Sequence, residues 1–106
     1  MNEFLNELQQ NIEAVENIEL KIEQGKTYMD ELKEYLPSLN KMMTEILGFV
    51  QNSEINIELN PEFVLQVLND IIYGIENEDS VFLLDVLRYG LLEIYDYIAA
   101  ELQSEG

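Results

Sequence analysis

The stretch at residues 80–103, SVFLLDVLRYGLLEIYDYIAAELQ, decides the fold. Wound at about 100° per residue, it places Leu83, Leu84, Leu87, Leu91, Ile94, Tyr95, Ile98 and Leu102 on one face, at spacings of three and four. Phe82, Val86, Tyr89, Tyr97 and Ala100 occupy the opposite side, broken mainly by Glu93 and Asp96. A helix that is apolar almost all round is normally surrounded. This one is therefore expected either to be the central helix of a bundle or to turn its far face to another molecule.

Upstream, Asn60-Pro61-Glu62 is a helix start: asparagine can cap, proline has the right φ for the first helical position, and glutamate suits the positive helix end. The helix it opens is expected over residues 61–76, with Val64, Val67, Leu68, Ile71, Ile72 and Ile75 inside and Gln66, Asn69, Asp70 and Tyr73 outside. Glu76-Asn77-Glu78-Asp79 forms a tight acidic turn, with Asp79 or Ser80 capping the next helix, so the last two helices form an antiparallel hairpin. Before it, NSEINIEL at residues 52–59 alternates Ile55, Ile57 and Leu59 with polar residues, and is expected to be an extended crossover laying its apolar side chains on the bundle.

Two further amphipathic segments precede the crossover. Residues 3–24 carry Phe4, Leu8, Val15, Ile18 and Ile22 on one stripe, with Leu5 and Ile12 beside it. Residues 27–51 carry Met29, Leu32, Leu36, Leu39, Met43, Ile46 and Val50, with Pro37 predicting a kink or short break near residues 35–38. The heptad register runs in phase from Phe4 to Val50, with Asn11 its only polar position and Gly25 its only empty one. One helix of about 45 residues, about 70 Å long, would satisfy it, and its exposed end would then have to pair with a second chain. The cost of an interior glycine favours a break at Gly25 instead.

A chain of 106 residues, 47 % of them hydrophobic, suits one domain with a full core. Without cysteine, disulfides and thiolate metal sites are excluded, and without histidine the usual general base and transition-metal ligand are missing. Carboxylate pairs such as Asp30/Glu34 and Glu93/Asp96 have neither the histidines of a dinuclear iron bundle nor the glycine-centred loop of a calcium site. No glycine-rich phosphate loop and no nucleophile beside a base occurs. The expectation is a protein that is not an enzyme and uses no metal or cofactor. MNEFLNELQQ resembles no leader and no window is apolar enough for a membrane span, so a cytoplasmic protein is expected.

Twenty-two acids face five bases, a net charge of −17, and from Met42 onward Arg88 is the only base. Such a surface disfavours nucleic acid and anionic membranes as partners. It suits either plain solubility or a decoy for a basic protein surface, as a nucleic-acid mimic would be. Interior glycines at Gly48, Gly74 and Gly90 each cost about 1 kcal/mol and point to close helix approach or to the floor of a partner groove. The candidate partner-binding residues are Phe82, Val86, Arg88, Tyr89 and Tyr97, since tyrosine and arginine are enriched at interfaces. The plainer role for Arg88 is to neutralise Asp85 or a neighbouring helix.

The run IIYGIENEDSVFLLDVLRYGLL at residues 71–92, with Leu83, Asp85, Leu87 and Tyr89 in an apolar–Leu–x–Asp–x–Leu–x–Tyr pattern, resembles the C-terminal part of a group of short acidic helical proteins from Gram-positive bacteria. The group has no assigned function, so the resemblance implies a helical fold alone, and Gly90 stands where that pattern has an acidic residue. Pro61-Glu62 followed by Leu65, Leu68 and Ile72 is also similar to helix starts in flagellar secretion chaperones, an analogy any proline-capped amphipathic helix would give. The expected protein is an all-α antiparallel bundle of four helices over residues 3–24, 27–51, 61–76 and 80–103. The alternative is one long N-terminal helix plus a C-terminal hairpin, paired as a dimer. Its expected function is as an adaptor or chaperone-like module that binds a protein partner or a second copy through the far face of its last helix.

Overall fold

The computed structural model describes the backbone of residues 2–51 and 57–105, and the side chains of residues 3–51 and 57–103. Helices α1 (Asn2–Glu23), α2 (Met29–Gln51) and α3 (Pro61–Glu76) are followed by a fourth rod. That rod is α4 (Ser80–Val86), one π-helical turn (Leu87–Leu91) and α5 (Leu92–Glu105), end to end. The fold is an all-α bundle in which α1 packs on α2 and on the fourth rod, and α3 packs on α2 and on the same rod from the other side.

Local chemistry sets the ends. Gly25 adopts φ +70°. Gly25 N–H bonds to Ile22 O at 3.1 Å and Lys26 N–H reaches back to Lys21 O at 2.8 Å, which closes α1 and rules out one continuous N-terminal helix. The same pair of bonds closes α3, from Glu78 N–H to Ile75 O and from Asp79 N–H to Gly74 O. Asp79 then starts α4 by accepting from Phe82 N–H at 3.0 Å, so one residue ends a helix and begins the next. Asn60 caps α3 through Glu62 N–H, ahead of Pro61.

Of the kink or short break expected at Pro37 the break does not occur, and the buried face of α2 differs in part from the expected stripe. The helix passes through Pro37 without a break. Pro37 is solvent-exposed and removes one hydrogen bond, whereas Leu32 and Tyr35 before it and Leu39, Met42, Met43 and Ile46 after it are all buried. That buried set is also turned from the expected stripe: Tyr35 and Met42 point inward, while Met29, Leu36 and Val50 are only half-buried. Of the crossover, Ile57 is buried and Leu59 half-buried, and Ile55 lies outside the described residues.

The interior glycines divide. A Cβ on Gly74 would stand 2.6 Å from Leu83 Cδ2 and 2.7 Å from Leu83 Cγ, and one on Gly90 would stand 3.1 Å from Val67 Cγ2, so both permit α3 to lie against the fourth rod. Gly48 serves no such approach, since a Cβ there meets nothing within 4 Å. The same substitution should therefore act with opposite signs. Gly74→Ala is expected to lower stability by about 1–2 kcal/mol, because overpacking a buried leucine outweighs the gain in helix propensity. Gly48→Ala should raise it by about 0.5–1 kcal/mol. Urea unfolding of the two variants checks both signs.

Candidate interaction surface

The far face of the fourth rod is covered only in part, with Tyr89 and Ala100 exposed. Val86 is buried, and Phe82 is half-buried with its ring edge-on to Tyr73 at 5.6 Å between centroids. Arg88 Nε donates to Glu19 Oε1 at 2.8 Å and its Nη2 pairs with Glu23, so this guanidinium ties the π turn to α1. Tyr97 Oη accepts from Glu58 N–H at 3.0 Å, which pins the end of the crossover to α5. Tyr89 alone of the five expected contact residues is widely exposed, at 59 %. The five are not equally open: Val86 is buried, Phe82, Arg88 and Tyr97 are half-buried, and Tyr89 is exposed.

Apolar surface remains open elsewhere, on α3. Leu65 and Ile72 are about half exposed, and with Leu68 they form a row at spacings of three and four along that helix. The row faces Leu36 and Leu39 of α2 across a groove of about 280 Å³, with Asn40 and Asn69 as its polar lining. Such a volume lies at the lower edge of small-ligand pockets and suits a few inserted side chains. The groove was hard to foresee because α3 reads as burying Leu68 and Ile72, and α2 as burying Leu36. In the structure Leu36 and Leu68 are only half-buried and Ile72 is exposed.

On the opposite flank of α3 lies a second concavity, of about 230 Å³. Its floor is Val67, Val86 and Gly90, its rings are Phe63 and Tyr89, and its carboxylates are Asp70 and Asp85. The π turn shapes it: Leu92 N–H reaches back five residues to Leu87 O, placing Tyr89 and Gly90 on the widened turn beside Val67.

The core holds one further polar feature. Tyr35 Oη donates to Asn11 Oδ1 at 2.6 Å and lies 2.7 Å from Tyr95 Oη, and Asn11 Nδ2 donates to Glu7 O at 2.8 Å. A phenol has one proton. Since that of Tyr35 is directed at Asn11, Tyr95 must donate to Tyr35, and the chain runs in one direction from α5 through α2 to α1. Burial pushes the Tyr35 phenol up to about 12, against a lowering by the bond it accepts from Tyr95. Tyr95 is raised by burial, by the neighbouring Tyr35 and by the hydrogen bond it donates. The triad joins three helices.

Among the described residues no three carboxylates gather as a metal ligand set, and no helix is long and apolar enough to cross a membrane. No family model, curated protein or solved structure matches the chain.

Proposed function

We propose that the chain is a cytosolic, non-enzymatic binding module that seats an amphipathic helix with a basic flank in the α2–α3 groove. The observation that carries this reading is the half-exposed row Leu65, Leu68 and Ile72 opposite Leu36. Its three-and-four spacing is the one a partner helix can match with its own apolar stripe. Leu65 to Ile72 spans about 10 Å at 1.5 Å rise per residue, which two to three turns of a partner would cover.

Charge selects the occupant. The chain carries −17, and among the described residues Lys21 pairs with Glu31, Lys41 with Glu7, and Arg88 with Glu19 and Glu23. A second copy would bring the same large negative charge, and strong net charge keeps proteins monomeric. A basic flank is attracted by it, and the apolar stripe decides where the partner settles.

Fluorescence anisotropy with three labelled peptides of equal length tests the reading: a leucine/lysine amphipathic helix, its scrambled counterpart and a leucine/glutamate helix. The amphipathic basic peptide should bind saturably, and Leu65→Glu or Ile72→Glu should weaken it about tenfold or more. Both side chains are exposed, so the fold should persist, as circular dichroism would confirm. Equal binding of the scrambled peptide, abolished by moderate salt, would replace the groove with the decoy reading that the net charge also supports. A concentration-dependent dimer broken by Ile72→Glu would make a second copy the occupant.

A further inference from the structure

We propose that the concavity on the other flank of α3, at the π turn, is a receptor for a single arginine side chain of a partner protein. It uses none of the groove residues and does not depend on the groove's being occupied. Three properties of the concavity fit a guanidinium on an aliphatic stem.

The floor of Val67, Val86 and Gly90 is apolar, and Gly90 offers no side chain, so the methylenes of a long side chain can lie along it. Phe63 and Tyr89 bracket the opening, and both rings are widely exposed, at 41 % and 59 %. The faces of such exposed rings beside an apolar floor are surfaces on which a planar cation stacks. Asp70 and Asp85 supply the charge. Asp70 Oδ1 already accepts from Gln66 Nε2 at 2.8 Å, which holds that carboxylate in place and leaves Oδ2 for an incoming donor.

Arginine fits this set better than lysine does. Its five donors can bond both carboxylates at once while its plane lies on a ring, whereas an ammonium is compact and more strongly hydrated. Among the described residues no cation lines the concavity: Arg88, from the same turn, is held by Glu19 and Glu23 on α1 and also interacts with the Tyr89 hydroxyl. The lining of the concavity therefore carries two acids, Asp70 from α3 and Asp85 from α4, and no base. π turns inserted in α-helices occur frequently at functional sites, and this one builds the wall and floor of the concavity.

The test is a titration of isotopically labelled protein with N-acetyl-arginine amide, N-acetyl-lysine amide and N-acetyl-citrulline amide, followed by amide chemical shifts. The arginine probe should move Val67, Tyr89 and Gly90 together along one saturating curve. Lysine should bind about threefold or more weakly, and citrulline, which keeps the shape without the charge, should leave these amides in place. Asp85→Asn, Asp70→Asn and Tyr89→Leu should each weaken the arginine response at least about threefold, and all three side chains can change without opening the core. Equal responses to arginine and lysine, shifts spread over the whole acidic surface, or a response unchanged by Asp85→Asn would overturn the proposal. Shifts centred on Leu65 and Ile72 would also overturn it, while leaving the α2–α3 groove as a binding surface.

Discussion

Tyr35→Phe should cost this protein about 2–4 kcal/mol, although it removes one oxygen atom and leaves the ring in place. Tyr35 is the middle of the chain that runs from Tyr95 Oη to Asn11 Oδ1. Deleting its hydroxyl orphans the Tyr95 donor and the Asn11 acceptor together, and both side chains are nearly inaccessible to water. Each buried polar group left unpaired costs about 1–3 kcal/mol, well above the net value of an ordinary hydrogen bond. Tyr95→Phe is milder, at about 1 kcal/mol, because Tyr35 keeps its bond to Asn11 and loses only the one it accepts.

The asymmetry has a corollary. Replacing all three residues at once, as Asn11→Leu, Tyr35→Phe and Tyr95→Phe, leaves no orphan and should return the protein to within about 2 kcal/mol of the parent. Urea unfolding followed by circular dichroism measures all of these. Equal losses for Tyr35→Phe and Tyr95→Phe would mean that the hydroxyls are satisfied in some other way.

What could be read from the chain beforehand divides by range. The Gly25 stop, the Asn60-Pro61-Glu62 start and the Asp79 cap are each made by atoms within six residues, and short-range chemistry is written in short-range sequence. Asn11 stood out as a polar residue in an apolar register, but its partner did not. Tyr35 sits one position off the three-four stripe of α2, and its bonds span 24 and 60 residues. Periodicity names a face, while a polar contact of that span also requires the rotation of three helices about their axes.

The surface was harder still. The fourth rod is apolar almost all round, as its composition said, yet it packs on two neighbours, α1 and α3, as many as each other helix has. Most of the large apolar side chains left exposed among the described residues lie on α3, whose own stripe looked ordinary. Neither the π turn nor the rotation of α2 has a short-range signature, yet between them they shape the arginine-sized concavity and the α2–α3 groove. Fold class was legible because it depends on period; the candidate sites depend on phase.

Between about pH 10 and pH 12 the same triad should make the protein unfold steeply. Free phenols ionise at about 10, and Tyr35 in the folded protein is held up to about 12 by burial, with Tyr95 raised as well. The sign follows from proton counting. Below pH 10 both states keep both phenolic protons, and the triad's contribution is fully present. Above it the unfolded chain releases protons that the folded chain retains, so the folded state is progressively disfavoured as pH rises. For two retained protons the limiting slope is about 2.7 kcal/mol per pH unit, and the accumulated loss by pH 12 is about 5 kcal/mol, the order of a small domain's whole stability. Phenolate absorbance from two of the six tyrosines should therefore appear together with the loss of helical circular dichroism. The variant carrying Asn11→Leu, Tyr35→Phe and Tyr95→Phe should lose most of that slope while keeping the bundle at neutral pH, because the protons that coupled ionisation to folding are gone. A slope unchanged in that variant would place the alkaline sensitivity in the repulsion among the protein's acids and take it away from the core.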